Sequence, residues 1–530
     1  MNGETTSTAE QTVWRPRVNP WIIGIVVALA AFMEVLDTSI ANVALPHIAG
    51  DLGASNNEST WVLTSYLVAN AIILPASGWL VSVFGRKRLF MVCIAFFTLS
   101  SFLCGVSSSL GFLLLARILQ GAFGGGLQPM AQAVLADSFP PEKRGLAFSI
   151  YGVTAVCAPA IGPTLGGWIT DSFSWRWIFF INIPVGILAL VLVYLLLEDP
   201  PYLKELKRGF ASFDAIGFSL LVLGVGALQI LLDKGQEDDW LGSRFIITLM
   251  AVSAVSFVSL VIWEWHHKEP IVDVRLFKNF SFAIGNIMFL MLGISLMAST
   301  VLMPQFLQTL MGYTAQQAGM VLTSGALVVL LTIPIVGILT TKVQARYLIA
   351  FGWITMAASL FISCRENSLA MSFNGASWLR ILQSIPMGFL FIPITLAGYV
   401  GLAASKNNAA SGIMNFMRNI GQSIGTSTVT TLIARRTQYH QTVLAQHTSS
   451  GQFQVMISGL GSKLSSAGLD THAAHRQAVA RLYNMLQAQA MALSYVDVYW
   501  ILGIGSALMV FLSFMMRKNE LGKTEGIAVH

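Results

Sequence analysis

Two acidic residues, Glu34 and Asp37, stand three positions apart in a long apolar run near the start of the chain. A charge buried deep in a bilayer is costly, so such residues are usually retained for a function. The i,i+3 spacing places both on one helix face, about 5–6 Å apart at Cβ. Because two close carboxylates in a low-dielectric cavity resist ionising together, one is expected to hold a proton near neutral pH. That property suits coupling to a proton gradient, although the pair could also bond neighbouring hydroxyls and only fix helix packing.

Arg117 is the basic residue placed best to pair with these acids. Measured from the outer ends of their apolar runs, Arg117 lies about 9 Å deep and Asp37 about 12 Å deep. The similar depths predict an ion pair that keeps Asp37 ionised until the arginine moves away, although the pair could be purely structural. Gln120 and Gln128 continue the Arg117 helix at helical spacing, which predicts a polar stripe that faces an aqueous cavity.

A second deep arginine, Arg418, predicts the opposite wall of that cavity. The polar residues around it recur at helical spacing on one face. Arg380 lies nearer the end of its apolar run, where its side chain is expected to reach the membrane surface. The complete set of predicted cavity residues is Asn42, Gln120, Gln128, Asn415, Arg418, Asn419 and Gln422.

Composition predicts an all-α polytopic membrane protein. Apolar residues make up 55% of the chain and charged residues 11%, and the mean hydropathy is +0.68; soluble domains carry about 25% charged residues. About fourteen apolar runs of roughly 18–25 residues could each cross a bilayer as a helix. The polar first twenty residues lack a signal-peptide layout, so the first helix is expected to be an uncleaved anchor. The four cysteines show neither disulfide nor metal spacing, and no metal site is expected.

The basic residues predict the orientation of the chain. Connections on the side of the two termini are rich in lysine and arginine, for example at 86–88 and 143–144, whereas the opposite connections hold few. This bias predicts that both termini are cytoplasmic. The net charge of +6 therefore gives no reason to expect a nucleic-acid partner.

A repeat predicts that the chain consists of two similar halves. Arg-Ile-Leu-Gln occurs at Arg117–Gln120 and again at Arg380–Gln383, and Pro75-x-x-Gly78-x-Leu80 recurs at Pro334. The shared offset pairs helices 1–6 with helices 9–14, which gives two six-helix bundles plus two inserted helices. The predicted divisions are a tail at 1–20, a first bundle at 21–197, linkers and inserted helices at 198–280, a second bundle at 281–516 that contains an outer loop at 435–495, and a tail at 517–530.

Several motifs make the resemblance to a known family specific. The run from Leu36 to Pro46, the stretch from Gly78 to Lys87 and Arg117-x-x-Gln120-Gly121 resemble motifs of the fourteen-helix drug:proton antiporters of the major facilitator superfamily. The stretches 174–184, 228–240 and 270–273 resemble EmrB-type multidrug efflux permeases in particular. The resemblance implies that Asp37 is the acid of helix 1 in proton coupling. Glu34 stands where relatives often carry an uncharged polar residue, so its role is less defined.

The resemblance also implies where gating residues lie. Gly78, Gly85 and Arg86 form the loop motif between helices 2 and 3, where Ser82 replaces the usual acid and Asp137 could serve as the partner of Arg86; topology alone could also explain the basic residues. In helix 5, small residues and a proline permit a kink and close contact with a helix of the other half. This antiporter motif, in which Ala158 replaces the upstream glycine, consists of Gly162, Pro163, Gly166 and Gly167.

These features predict a proton-driven exporter of lipophilic compounds in an inner membrane, with the proton gradient and no cofactor as its energy source. The length and weak amphipathic pattern of the outer loop predict either docking of a partner protein or a cap over the cavity; the resemblance implies that the partner is a periplasmic adaptor, which connects to an outer-membrane channel. A nucleotide-binding Gly-x-x-x-x-Gly-Lys motif is absent, and no nucleophile–base constellation predicts an enzyme. The alternatives are a symporter that imports a specific nutrient, and a membrane scaffold or sensor.

Overall fold

The computed structural model describes residues 16–201, 203, 213–446 and 451–516, and these residues form helices with no strand among them. We number the long helices α1 to α14. Their bounds are α1 Pro20–Leu52, α2 Trp61–Phe84, α3 Arg86–Gly105, α4 Leu110–Ser138, α5 Pro141–Ser172, α6 Trp177–Leu196, α7 Ala215–Lys234, α8 Arg244–His266, α9 Phe280–Thr309, α10 Ala315–Leu339, α11 Ala345–Glu366, α12 Phe373–Tyr399, α13 Asn407–Gln446 and α14 Thr471–Met515. A shorter helix, Gly451–Ser466, precedes α14 and is called the loop helix.

Most of these helices are long and apolar enough to cross a membrane. Within the described residues, twelve meet that description, and a bent α5 would make thirteen. The remaining helix, α13, has 40 residues and packs against α2 and α9, but the polar residues of its inward face lower its hydropathy. The predicted all-α polytopic architecture is confirmed. We call the end of the bundle where α1 begins and α14 ends the tail end, and the opposite end the loop end.

Contacts between helices repeat along the chain. In the first half, α1 packs on α4, α5 and α6, α4 packs on α2 and α3, and α3 packs on α6. The second half shows the same pattern, in which α9 packs on α12, α13 and α14, α12 on α10 and α11, and α11 on α14. Each of these contacts in the first half recurs eight helices later in the second half, as the sequence repeat predicts.

The two halves meet where the repeated glycines lie. The most extensive contacts between the halves are those of α2 with α13 and of α5 with α10, and α4 with α13 and α5 with α12 are also in contact. A Cβ atom on Gly78 of α2 would lie 2.7 Å from Cα of Ala409 in α13. A Cβ atom on its repeat counterpart Gly337 would lie 3.0 Å from the Gly145 carbonyl oxygen in α5. Both contacts lie near the tail end, where glycine lets the backbones approach closely.

Helix α5 bends by 46° between its segments Glu142–Pro159 and Ile161–Ser172. Pro163 has no N–H to donate to the Pro159 carbonyl, and Ser39 of α1 donates to that carbonyl instead, at 3.0 Å. The kink is therefore as predicted, and Thr164 within the motif approaches the other half, because a Cβ on Gly319 of α10 would lie 3.0 Å from its hydroxyl oxygen. Gly162 and Gly166 pack on α1 of the same half, where a Cβ on Gly162 would lie 2.5 Å from Ser39 Cβ.

The inserted helices α7 and α8 pack together, and α7 contacts both halves. Thr64 of α2 donates to Asp233 of α7 at 2.5 Å. Gln229 of α7 donates to Ser423 of α13 at 2.7 Å. The insertion therefore fills the side of the bundle between α2 and α13.

The predicted outer loop is mostly helical. Helix α13 continues to Gln446, and α14 begins at Thr471 and runs 45 residues without a break into the membrane region. Near their junction with the bundle, Arg436 and His440 of α13 contact Asp497 of α14 at 2.6 and 2.7 Å. Residues 447–450 of the predicted loop, 202 and 204–212 of the predicted linker, and most of both tails lie outside the described residues. The divisions of the chain stay a prediction.

Candidate functional site

Asp37 lies buried in α1 and is surrounded by donors from two other helices. Its carboxylate accepts hydrogen bonds from Arg117 Nη1 at 2.6 Å, from Gln120 Nε2 at 3.0 Å and from Asn182 Nδ2 at 2.7 Å. Asn182 also donates to Ser101 at 3.0 Å, which fixes its amide. The predicted contact between Asp37 and Arg117 is therefore present, and Gln120 and Asn182 are two further donors to the Asp37 carboxylate.

The surroundings of Arg117 partly compensate for its complete burial, although its Nη2 has no hydrogen-bond partner among the described residues. Its Nε donates to the Val62 carbonyl at 3.0 Å, and its guanidinium lies 4.2 Å from the centre of the Tyr66 ring. Such a pair is stabilised only when its geometry is good and further hydrogen bonds satisfy both ions. Removing either partner would leave the other charge uncompensated inside the bundle.

Glu34, one helical turn from Asp37, is bonded differently. Its carboxylate accepts from Tyr66 Oη at 3.1 Å, from Asn70 Nδ2 at 2.9 Å and from Gln128 Nε2. These donors are neutral, and among the described residues no ion pair includes Glu34. Tyr66 connects the two acids, since its hydroxyl contacts Glu34 while its ring contacts Arg117.

Polar contacts connect Glu34 to the second half of the chain. Gln128 Oε1 accepts from Arg418 Nη2 of α13 and from Tyr151 Oη of α5, the latter at 2.8 Å. One turn along α4 toward the tail end, Gln132 Oε1 accepts from Asn415 Nδ2 at 2.8 Å. The polar stripes of α4 and α13 thus face one another across the interface between the halves.

A second charged cluster lies at the tail end. Arg86 and Asp137 form a buried ion pair of 2.6 Å between the start of α3 and the end of α4. Asn407, at the start of α13, donates to Asp137 at 2.7 Å. Gly85 has a φ of +80°, a conformation that favours glycine, at the junction of α2 and α3. These contacts, which we call the tail-end latch, connect the two halves.

Other predicted residues fall into different surroundings. Gln120 belongs to the Asp37 cluster, Asn42 is exposed, and Asn419 and Gln422 are half-buried on α13. The expectation for Arg380 is wrong, because this side chain is buried and donates to Ser299 in α9. A Cβ on Gly167 would meet nothing within 4 Å, so this glycine makes no close contact.

Sequence reasoning missed the neutral donors. All but Asn407, which follows Lys406 at the start of α13, are polar residues within apolar runs, a signal that the charged residues obscured. The neutral donors are Tyr66, Asn70, Tyr151, Asn182 and Asn407.

This helical fold with a charged core is that of a membrane transporter. Residues 27–426 match the sequence profile of the Major Facilitator Superfamily, so the chain belongs to that superfamily. Within it the chain is EmrB-like, being 37% identical over 485 residues to the Multidrug export protein EmrB of Haemophilus influenzae, across 91% of this chain and 93% of that protein. The resemblance seen in the motifs is confirmed.

Two further comparisons agree. The chain is 38% identical over 420 residues to the Fatty acid resistance protein FarB of Neisseria gonorrhoeae, covering 79% of this chain and 82% of that protein. The crystal structure of the human organic anion transporter MFSD10 (TETRAN) is similar with a TM-score of 0.54, covering 94% of this chain and 100% of that chain. With 12% identity, that similarity shows the fold alone.

Proposed function

We propose that this protein is a proton-coupled antiporter that exports drugs and other lipophilic toxic compounds across the inner membrane. The observation that supports this most strongly is the buried charge network, in which Asp37 pairs with Arg117 while Glu34 connects through Gln128 to Arg418. Membrane-buried acids that contact both halves of a transporter suit proton coupling. The names of the relatives, multidrug export and fatty acid resistance, favour lipophilic substrates.

In this proposal the two acids have different roles. Arg117 compensates the charge of Asp37, whereas Glu34 touches neutral donors and holds the transported proton in the described conformation. A cationic drug that enters beside Glu34 favours release of the proton, because two positive charges compete for one carboxylate. Tyr66 contacts both Glu34 and Arg117, so loss of the proton from Glu34 changes the surroundings of Arg117.

The tail-end latch serves as the gate on one side. Its Asp137 joins Arg86 of the first half to Asn407 of the second, and Gly78 lets α2 and α13 touch beside it. Because the tail end is proposed to be cytoplasmic, the described conformation is closed toward the cytoplasm. Substrate enters from the cytoplasm only after these contacts separate.

The helical extensions at the loop end are the loop helix and the parts of α13 and α14 between residues 435 and 495. They serve as the docking site of a periplasmic adaptor, which connects to an outer-membrane channel. The extension of α14 exposes Val479, Tyr483 and Met485, and the loop helix exposes Val455 and Met456. Exposed apolar side chains outside the membrane region favour a protein partner. The proton gradient supplies the energy, with no organic cofactor, enzymatic step or nucleic-acid partner.

The test is drug-driven proton movement in proteoliposomes that contain the purified protein and an enclosed pH-sensitive dye. Adding tetraphenylphosphonium to one side should move protons in the opposite direction to the drug. Proton movement in the same direction as the drug would support a symporter instead. Drug movement that is independent of a pH gradient would contradict proton coupling.

A further inference from the structure

Arg380 of α12 is a buried cation without a counter-charge. Its side chain is 7% exposed, and Nη1 donates to the Ser299 carbonyl at 3.2 Å and the Ser299 hydroxyl at 3.3 Å. Its Nε has no hydrogen-bond partner among the residues that the structure describes. In the described part of the chain, the ion pairs involve other residues. A buried, always-charged guanidinium with a free donor is an incomplete site.

The sequence repeat shows what is missing. Arg380 is the counterpart of Arg117, and Ser299 follows Asp37 at nearly the same offset of about 260 residues. In the first half Arg117 therefore contacts a carboxylate, whereas in the second half Arg380 contacts a hydroxyl at the corresponding place. The second half has kept the cation of the repeat and lacks the anion.

A narrow cavity adjoins Arg380. It lies between α5 of the first half and helices α9, α10 and α12 of the second half, where the two halves meet. A Cβ on Gly325 would come within 3.0 Å of Arg380 Nε, so glycine leaves room for the guanidinium. Most of the lining is apolar; Arg380, Gln383, Thr300 and Ser384 contribute the polar side chains, and the larger apolar ones come from Val156, Leu296, Val329 and Met387.

We propose that Arg380 binds the anionic group of amphipathic substrates, with a carboxylate as the simplest example, while the apolar lining holds the adjoining chain. A carboxylate supplies the negatively charged acceptor that Ser299 lacks, and hydrogen bonds between charged groups are stronger than those between neutral groups. The free space in the described conformation is close to that of one water molecule, so the anion enters when the halves separate. This inference rests on the proposed export function and adds a separate subsite for anions.

The experiment measures binding of laurate and of dodecyltrimethylammonium to the purified full-length protein in nanodiscs. The two probes share a twelve-carbon chain and differ in charge. Arg380→Gln should weaken laurate binding by at least about tenfold, the range expected for a hydrogen bond between charged groups. Arg365→Gln is the matched control, because Arg365 is exposed at the end of α11, and it should leave laurate binding unchanged.

A second variant keeps the arginine in place. Ser299→Asp restores the carboxylate of the repeat within reach of Arg380, so it should block laurate binding as strongly as Arg380→Gln while preserving the fold. Wild-type laurate affinity in both variants would overturn the proposal, as would equal loss in Arg365→Gln. Because binding is measured without a gradient, this result is independent of whether the protein moves protons or drugs in liposomes.

Discussion

At the scale of single residues, the buried acids of α1 differ in their partners. Asp37 contacts a cation and two amides, and Glu34 contacts a phenol and two amides. Three hydrogen-bond donors around each of the two carboxyl groups offset the cost of burying it. This arrangement leads to separate expectations for the two acids and for the arginine.

Replacing Asp37 by Asn should abolish drug-driven proton movement, because the change removes the charge that pairs with Arg117. The measurement is proton flux in proteoliposomes after addition of tetraphenylphosphonium, which should fall to the level of empty liposomes. Flux at the wild-type level would contradict a role of Asp37 in coupling.

Replacing Glu34 by Gln should remove the pH dependence of drug binding. In the wild-type protein, the affinity for tetraphenylphosphonium should rise with pH across the measured range, as the proton that competes with the cation is lost. Gln keeps an oxygen acceptor for Tyr66 and Asn70 but cannot bind the proton, so the affinity should become flat over this range. If the affinity of the Glu34→Gln protein changed with pH as much as that of the wild-type protein, the competing proton would bind to a group other than Glu34.

Replacing Arg117 by Ala should lower the free energy of unfolding by about 3–5 kcal/mol, the cost typical of leaving a buried charge unpaired. Arg117→Lys should retain part of the stability, although lysine cannot reproduce the bonds to Asp37, Gln120 and the Val62 carbonyl together. Thermal unfolding in detergent would measure both, with Arg365→Ala as the control. An unfolding temperature of Arg117→Ala equal to that of the control would rule out a stabilising pair.

At the scale of helices, the bend of α5 depends on its contact with α1. Because Pro163 has no N–H, the Pro159 carbonyl accepts a hydrogen bond from the Ser39 hydroxyl instead. Gly162 has no side chain and therefore leaves room for Ser39. Gly162 and Gly166 of the antiporter motif therefore shape the contact between two helices of one bundle, while α5 contacts the other half at several points along its length, including Gly145, Cys157 and Thr164.

The variant Gly162→Ala tests this contact. An added methyl group would collide with Ser39, so we expect destabilisation of about 1–3 kcal/mol, as for other overpacked sites. Gly167→Ala is the matched control, because a Cβ there would meet nothing within 4 Å, and it should leave the unfolding temperature unchanged. Equal unfolding temperatures of the two variants would contradict this expectation and would mean that α1 moves aside to accommodate the methyl group.

At the scale of the whole molecule, two similar halves meet mainly at α2 with α13 and at α5 with α10, with further contacts of α4 with α13 and of α5 with α12. Contacts at the tail end hold them together, while the helical extensions project from the loop end. In the proposed function, the gate and the docking site therefore lie at opposite ends of the bundle.

Removing about residues 445–490 behind a short Gly/Ser bridge should leave drug transport in vesicles intact. The Arg436–Asp497 pair, which joins α13 to α14 near the bundle, remains in this variant. Resistance of whole cells should fall, because the permease no longer docks its adaptor. Full resistance together with unchanged co-purification of an adaptor would refute docking and favour a capping role for the extensions.

The sequence by itself determined the membrane class, the repeat and the deep charges. The hydropathy of a helix is summed over its own residues, and a charged residue such as Asp37 or Arg117 is conspicuous in an apolar run. Neither property depends on the tertiary structure. Matching depths along two helices sufficed to predict their contact, since helix geometry fixes rise per residue.

Only the tertiary structure decided which helix faces which. Asn182 and Tyr66 are ordinary polar residues until packing brings them against Asp37 and Glu34. Packing likewise turned Gly162 toward α1 and buried Arg380 against Ser299. The rotation of a helix about its axis depends on all of its neighbours together, and no pattern within one helix specifies it.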